Sequence, residues 1–303
     1  MAYRTGEQFE LTRGSARAVV TEIGAGLRAF EIGGTPYVES FDPEESPPKG
    51  AGQVLLPWPN RTRDARWTHR GEPQRLEVTE PPRGNAIHGL VRRKEWRLVE
   101  HAESAITMTV DVVDEPGWPV PLHAVVSYDL APRELTVTHE VRNEGTEPIG
   151  FGVGTHPYLR IGDVPTDELT LTLSATRVRP HLPDEQLPYG PEQDVAGTGY
   201  DLREGRRVGE LDLDTTFTGL RAGADGRYHH LLAHADTTVD VWTEPAFGWV
   251  QVFTPADLVG RGRAVAVEPM TCPADALNSG TDLIHLDPGE SWRGSWGIRV
   301  VTG

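Results

Sequence analysis

The chain has 303 residues, 37% of them hydrophobic, which is enough to bury one large core or two modest ones. Its formal net charge of −16 leaves no electrostatic footprint for nucleic acid or an anionic membrane surface, so neutral or cationic small molecules and proteins are the expected partners. A single cysteine, Cys272, excludes an internal disulfide framework and any multi-cysteine metal site. The first residues, Met1 to Glu7, carry no apolar core of a secretory leader, and no window holds the ~20 apolar residues that cross a bilayer. The expectation is a soluble, cytoplasmic protein that binds no membrane and no nucleic acid.

Period-2 alternation dominates the chain. Residues 17–23, 106–112, 123–130, 134–141, 168–173 and 249–253 alternate apolar with polar positions and are rich in β-branched and aromatic side chains, so each is predicted as a strand. Ala131-Pro132-Arg133 reads as a hairpin loop, and no stretch has convincing helical periodicity among 33 Gly and 25 Pro. Many closely spaced strands without helices between them predict an all-β sandwich of large antiparallel sheets. No composition shift marks a boundary, so one domain over residues 1–303 is expected. The Pro- and Gly-rich stretch 180–209 is expected to be a long surface excursion that could lie over a site.

Four segments interrupt this pattern. Pro57-Trp58-Pro59-Asn60-Arg61 is a stiff turn presenting Asn60 and Arg61, and Gly84-Asn85-Ala86-Ile87-His88-Gly89 frames His88 with small residues. In Thr155-His156-Pro157-Tyr158 the proline biases His156 to extended geometry. The apolar run 264–267 is expected to stop at Glu268, held against Pro269 in partly dry, rigid surroundings where a carboxylate can serve as a base. Singly, each has a plain structural reading as a salt-bridged or solvated group. Their coincidence on stiffened backbone favours a site.

Other chemistries fit less well. There is no Gly-x-Ser-x-Gly elbow and no phosphate loop before a helix. His229, His230 and His234 look superficially like a metal cluster, but residues 230 and 234 share a strand face, 229 points away, and no carboxylate partner is evident. Cys272 is expected to be a small packed residue.

In this order the motifs resemble those of the aldose 1-epimerases, of the galactose mutarotase type. The resemblance runs through Pro57-Trp58-Pro59-Asn60-Arg61, Asn85-Ala86-Ile87-His88-Gly89, Thr155-His156-Pro157-Tyr158, Asp214-Thr215-Thr216-Phe217, residues 249–254, Val267-Glu268-Pro269-Met270 and a closing Leu286-Asp287-Pro288-Gly289. It implies a β-supersandwich and an isomerase that needs neither metal nor other cofactor. The reaction would interconvert the α and β anomers of a free aldohexose of the glucose or galactose type. It further implies that Glu268 is the general base and His156 the general acid, while Arg61, His88, Asp214, Gln251 and Asn60 bind the sugar. Asp212, two residues from Asp214, is the alternative to it.

The residue types suit that chemistry on their own account. Opening a pyranose ring takes a proton from the anomeric hydroxyl and gives one to the ring oxygen, which a carboxylate and an imidazole chargeable near neutral pH can do. Trp58, Trp118, Phe247 and Trp249 are candidate stacking platforms, each equally able to be core. Two rivals remain from the same fold. One is a hexose-6-phosphate 1-epimerase, which needs a cationic clamp; against it, Arg63 and Arg66 share a turn with Asp64, and Arg92-Arg93-Lys94 reads as a solvated face. The other is a carbohydrate-binding protein without activity. A glycosidase would need a second well-placed carboxylate.

Overall fold

A computed structural model describes residues 4–303; Met1, Ala2 and Tyr3, part of the N-terminal stretch read above as lacking a leader, lie outside the described residues. Two large antiparallel sheets carry the architecture. The first runs in spatial order Arg97–His101, Ala105–Val112, Leu122–Ala131, Glu134–Asn143, Ser291–Thr302, Thr237–Thr243, Tyr228–His234, Thr170–Leu173 and Arg206–Arg207. The second runs Gln193–Asp194, Ala175–Arg179, Asp214–Leu220, Trp249–Phe253, Val265–Met270, Gly154–Thr155 and Val54–Leu55, with Tyr158–Leu159 also paired to Val265–Met270. A four-stranded sheet over residues 8–36 precedes both. Among the described residues the only α-helix is the single turn Ala276–Ser279. No described helix is long and apolar enough to cross a membrane.

The alternation read in the sequence becomes one-sided burial. In Leu122–Ala131 the residues Leu122, Ala124, Val126, Tyr128 and Leu130 are buried and the intervening ones are not. Its partner Glu134–Asn143 follows through a two-residue Pro132-Arg133 loop that leaves Ala131 opposite Glu134. Val126, Val137 and Ile298 of the first sheet join Phe217, Val250, Val252 and Val267 of the second in one apolar cluster. Each side chain of this kind contributes about 1.5–3 kcal/mol on burial. This is the β-supersandwich of large antiparallel sheets that the motif resemblance implied.

Two expectations change. The strand carrying Glu268 does not stop there but continues to Met270, with Gln251 opposite Glu268 and Val250 opposite Pro269. A proline has no N–H for a ladder, and here the neighbouring strand is broken. Tyr158–Leu159 pairs with Ala266 and Val265, and Gly154 pairs with Met270. Between these pairings the chain at His156–Pro157 leaves the ladder, keeping only a bond from the Val267 N–H to the Pro157 carbonyl. The break that tolerates Pro269 is therefore the break that holds His156. The stretch 180–209 is also less detached than expected. It contributes two short strands, and His181 at its start reaches Thr216 in the second sheet.

Candidate active site

The Glu268 carboxylate lies in the middle of the second sheet, on the strand next to Gln251, which in turn faces Thr216 on the third strand across. Glu268 is 2% exposed, and its Oε1 is 3.4 Å from His156 Nε2. Its other oxygen has no hydrogen-bond partner among the described residues, and neither has His156 Nδ1. Tyr158 stacks on the His156 ring at 5.1 Å, and the His88 ring meets it edge-on at 5.4 Å. Gly50 closes the far side. With φ at 83° it occupies the left-handed region, and a Cβ there would lie 3.1 Å from His156 Cδ2.

Asn60 and His88 are positioned by each other. The Arg61–Thr62 strand pairs with Ala86–Ile87, which brings the two turns together. Both residues adopt positive φ, 55° and 63°. The Asn60 side-chain oxygen accepts the Arg61 N–H at 2.8 Å. The Arg61 guanidinium forms a forked pair with Glu80 through Nε and Nη2, at 3.0 and 3.1 Å. Its Nη2 also stands 3.8 Å from Asp214 Oδ2. Gln251 donates to Asp214 Oδ1 at 2.6 Å and accepts from the Thr216 hydroxyl. Glu80, Arg61, Asp214, Gln251, Thr216 and His181 thus form one continuous polar chain that follows the cavity wall as far as Gln251 and continues behind it.

All seven residues proposed from the sequence, Asn60, Arg61, His88, His156, Asp214, Gln251 and Glu268, line a single cavity of about 400 Å³. That volume suits one small, polar ligand. Asp212 does not join them: it is exposed, and the strand begins only at Asp214. The four proposed aromatic platforms are buried core residues, with Trp58 and Trp67 packed around Trp118, whereas Phe253 supplies the apolar lining. Glu80, Thr79 and Ile87 also line the cavity and were missed. Glu80 lies in a polar surface-like stretch with no pattern of its own, and only its pairing with Arg61 reveals it.

Arg92 and Arg93 are a larger correction. Both line this cavity, Arg92 partly buried and Arg93 still exposed, because the turn Val91–Arg93 sits beside Leu56 and its Arg92 carbonyl is tied down by Gln53 Nε2 at 2.9 Å. Lys94 points elsewhere, to Glu115. Neither Arg63 nor Arg66 lines the cavity, and Arg63 is occupied by Glu185 and Asp275.

Burial sets the protonation of the central pair. It pushes the Glu268 carboxyl well above its ordinary value, reinforced by Asp214 and opposed by Arg61. It pulls His156 down to about 3, with Arg92 acting in the same direction. His88 is pulled well below 6.5 by burial and by the charges of His156, Arg92 and Arg61. Glu80 moves the other way: burial would raise it, but the hydrogen bonds and charge of Arg61, helped by Asn85 and Arg83, hold it below its usual range. The expectation of a His156 charged near neutral pH therefore fails for the buried ring. Neutral His88 accepts the Asn60 N–H at Nδ1, so it carries its proton on Nε2, free to donate to a ligand.

The two remaining clusters resolve into structure. His229 does have carboxylate partners, contrary to expectation: it lies between Asp225 and Asp240, and Asp240 also binds Arg299. His230 is fully buried, so the three histidines do not converge, and no described group of three His, Cys, Asp or Glu could hold a metal ion. Cys272 is buried and its thiol is pushed up to about 12.

Comparisons with known proteins bear on the family and the fold. The chain is 31% identical over 290 residues to YihR, an uncharacterized Escherichia coli (strain K12) protein, covering 95% of this chain and 92% of that one. Its structure superposes on the GalM/aldose epimerase homologue of C. elegans with a TM-score of 0.85 at 18% identity, covering 98% and 99% of the two chains. It also superposes on galactose 1-epimerase from Lactobacillus acidophilus NCFM with a TM-score of 0.80 at 20% identity, covering 97% and 94%. The family model for aldose 1-epimerases matches residues 7–299, nearly the whole length, and the chain belongs to the aldose 1-epimerase family.

Proposed function

We propose that the protein is an isomerase that interconverts the α and β anomers of an aldose, with Glu268 and His156 exchanging protons with the sugar. The observation that carries this reading is the pair itself: two buried groups of opposite proton affinity, 3.4 Å apart, both facing a cavity of monosaccharide size. A protein that only bound sugar would have no use for it. Burying two ionisable groups together costs stability, and that cost is common where a group must give and take protons.

The pair shares one proton between two arrangements, carboxylate with imidazolium or carboxylic acid with imidazole, and burial favours the second. The reaction begins from the first. Glu268 takes the proton of the anomeric hydroxyl as the C1–O1 double bond forms. The C1–O5 bond breaks, its electron pair goes to O5, and His156 gives O5 a proton. This leaves a neutral acid, a neutral imidazole and an open-chain aldehyde. The arrangement that burial prefers is thus the one present when the ring is open, while the closed ring reacts from the less favoured ion pair. Rotation about C1–C2 turns the other face of the aldehyde to O5. Closure returns the O5 proton to His156 and the Glu268 proton to O1.

The polar chain from Glu80 to Thr216 holds the remaining groups still. Arg61, Asp214, Gln251, Asn60 and the His88 Nε2–H are placed to bind ring hydroxyls, and such preset donors need no reorganisation when charge shifts. Exchange NMR on freshly dissolved α-D-glucose and α-D-galactose tests the reading. Anomer exchange above the buffer rate that disappears in Glu268→Gln supports it, and equal exchange in parent and variant removes Glu268 as the base.

A further inference from the structure

We infer that the aldose carries an anionic substituent, bound by Arg92 together with Arg93 and Lys49. The inference rests on the cavity being an aldose site. It arises from a charge imbalance within that cavity. Every carboxylate on its wall is engaged or disposed to be neutral. Glu80 is held by Arg61, Arg83 and Asn85, Asp214 by Gln251 and Arg61, and Glu268 sits beside His156. The cations divide differently. Arg61 is paired, but Arg92, Arg93 and Lys49, all lining the cavity, have no ion-pair partner among the described residues.

Such a triad is unexpected in this chain. There are 45 acidic residues against 29 basic ones, and most arginines near the cavity have found a carboxylate. Arg92 is largely withdrawn from water, and burial and Arg93 lower it to about 10, with only Glu77 acting the other way. Its charge also reaches His88 and His156, so it acts inside the site and not at the outer rim. Arg92 gives up hydration beside the like charge of Arg93, while Arg93 and Lys49 line the same cavity from exposed positions; an anion delivered by the ligand would offset the cost at Arg92 through charge-assisted hydrogen bonds. The ligand's neutral hydroxyls are already served by Arg61, Asp214, Gln251 and His88. A substituent remote from the anomeric carbon, on the exocyclic carbon of a hexose, would let C1 and O5 address Glu268 and His156 while the anion meets Arg92.

Phosphate ester, sulfate ester and carboxylate share the required charge, and the experiment separates them. Anomer exchange is measured by NMR for glucose 6-phosphate, glucose 6-sulfate, glucuronate, glucose and galactose, alongside calorimetric titration of each. At least one anionic sugar is expected to exceed both neutral sugars about tenfold in kcat/KM, an advantage that shrinks as salt is raised. In Arg92→Gln and in Lys49→Gln the ratio of anionic to neutral kcat/KM is expected to fall about tenfold, and Arg92→Lys is expected to restore part of it. Higher kcat/KM for glucose or galactose than for every anionic sugar would overturn the inference and leave the catalytic reading standing. So would a ratio unmoved in both folded variants. Tight binding of an anionic sugar with no exchange of any sugar would do the reverse, supporting the anion site and removing the isomerase.

Discussion

Asn60 and His88 hold each other in place: the Asn60 N–H donates to His88 Nδ1 at 3.2 Å, and the His88 N–H donates to the Asn60 carbonyl at 2.8 Å. Each has left-handed backbone, which costs a non-glycine residue about 1–2 kcal/mol. Asn60 offsets part of that through its side-chain bond to the Arg61 N–H. Replacing Asn60 by Ala removes the bond and keeps the strain, whereas Gly removes both. Thermal melts are expected to place Asn60→Gly about 1 kcal/mol more stable than Asn60→Ala, with KM raised in both. Equal melting would mean that the turn is not strained.

Glu268→Gln separates catalysis from stability. Anomer exchange is expected to fall about 10²–10⁴-fold with sugar binding retained. The variant is also expected to be more stable than the parent near neutral pH. The folded-state value of Glu268 is raised, so its favourable contribution is complete below the unfolded value near 4.5 and is lost as pH rises toward the folded value. Gln does not titrate and loses nothing. The gain should therefore vanish at about pH 4 and grow with pH, at roughly 1.4 kcal/mol per pH unit until the folded value is reached. Melting curves at several pH values read this directly, and a variant less stable at neutral pH would contradict the burial argument.

The pH profile of kcat/KM should reflect the shared proton. In the proposed mechanism the pair is active with one proton. On the acid side it is lost when a second proton arrives, an event postponed to low pH because His156 is held to about 3. On the alkaline side it is lost when the single proton leaves, an event delayed because Glu268 is raised. Activity at about pH 5 is expected to stay within twofold of that at about pH 7. An acid limb near 6.5 would instead assign His156 an ordinary, solvated imidazole.

Gly50→Ala probes the contact behind His156. The added methyl would sit 3.1 Å from Cδ2 on backbone with φ at 83°, so both the ring and the turn must yield. A loss of about 1–2 kcal/mol in stability is expected, with kcat reduced more than KM is raised, since the ring that moves is the proposed proton donor. A drop in stability with unchanged kcat would show that His156 tolerates displacement.

Much of the site was readable because its residues sit on stiff local segments. Asn60 and Arg61 follow Pro57 and Pro59, His156 precedes Pro157, and Glu268 precedes Pro269, so short motifs carried the geometry. The strand pattern was readable for a related reason: one face of each sheet is buried, and period-2 burial leaves its mark on composition. What escaped depended on partners distant in sequence. Glu80 gains meaning only from Arg61, nineteen residues away, and Arg92 only from the cavity onto which its turn is fastened. Arg92 looks like part of a solvated basic run until the chain is folded, and a proline after Glu268 looks like a strand end until its interrupted neighbour is seen.

The broken ladder beside Val265–Met270 bears on how activity is gained. Glu268 meets His156 only after a strand near the end of the chain is inserted between Trp249–Phe253 and two short segments more than a hundred residues earlier. Pairings so distant in sequence close late and slowly during folding. A chain still emerging during synthesis has its histidine but not its carboxylate, and is inert. Recovery of the proposed turnover after dilution from denaturant would accordingly report when that strand has been inserted, making the reaction a clock for a late step of assembly.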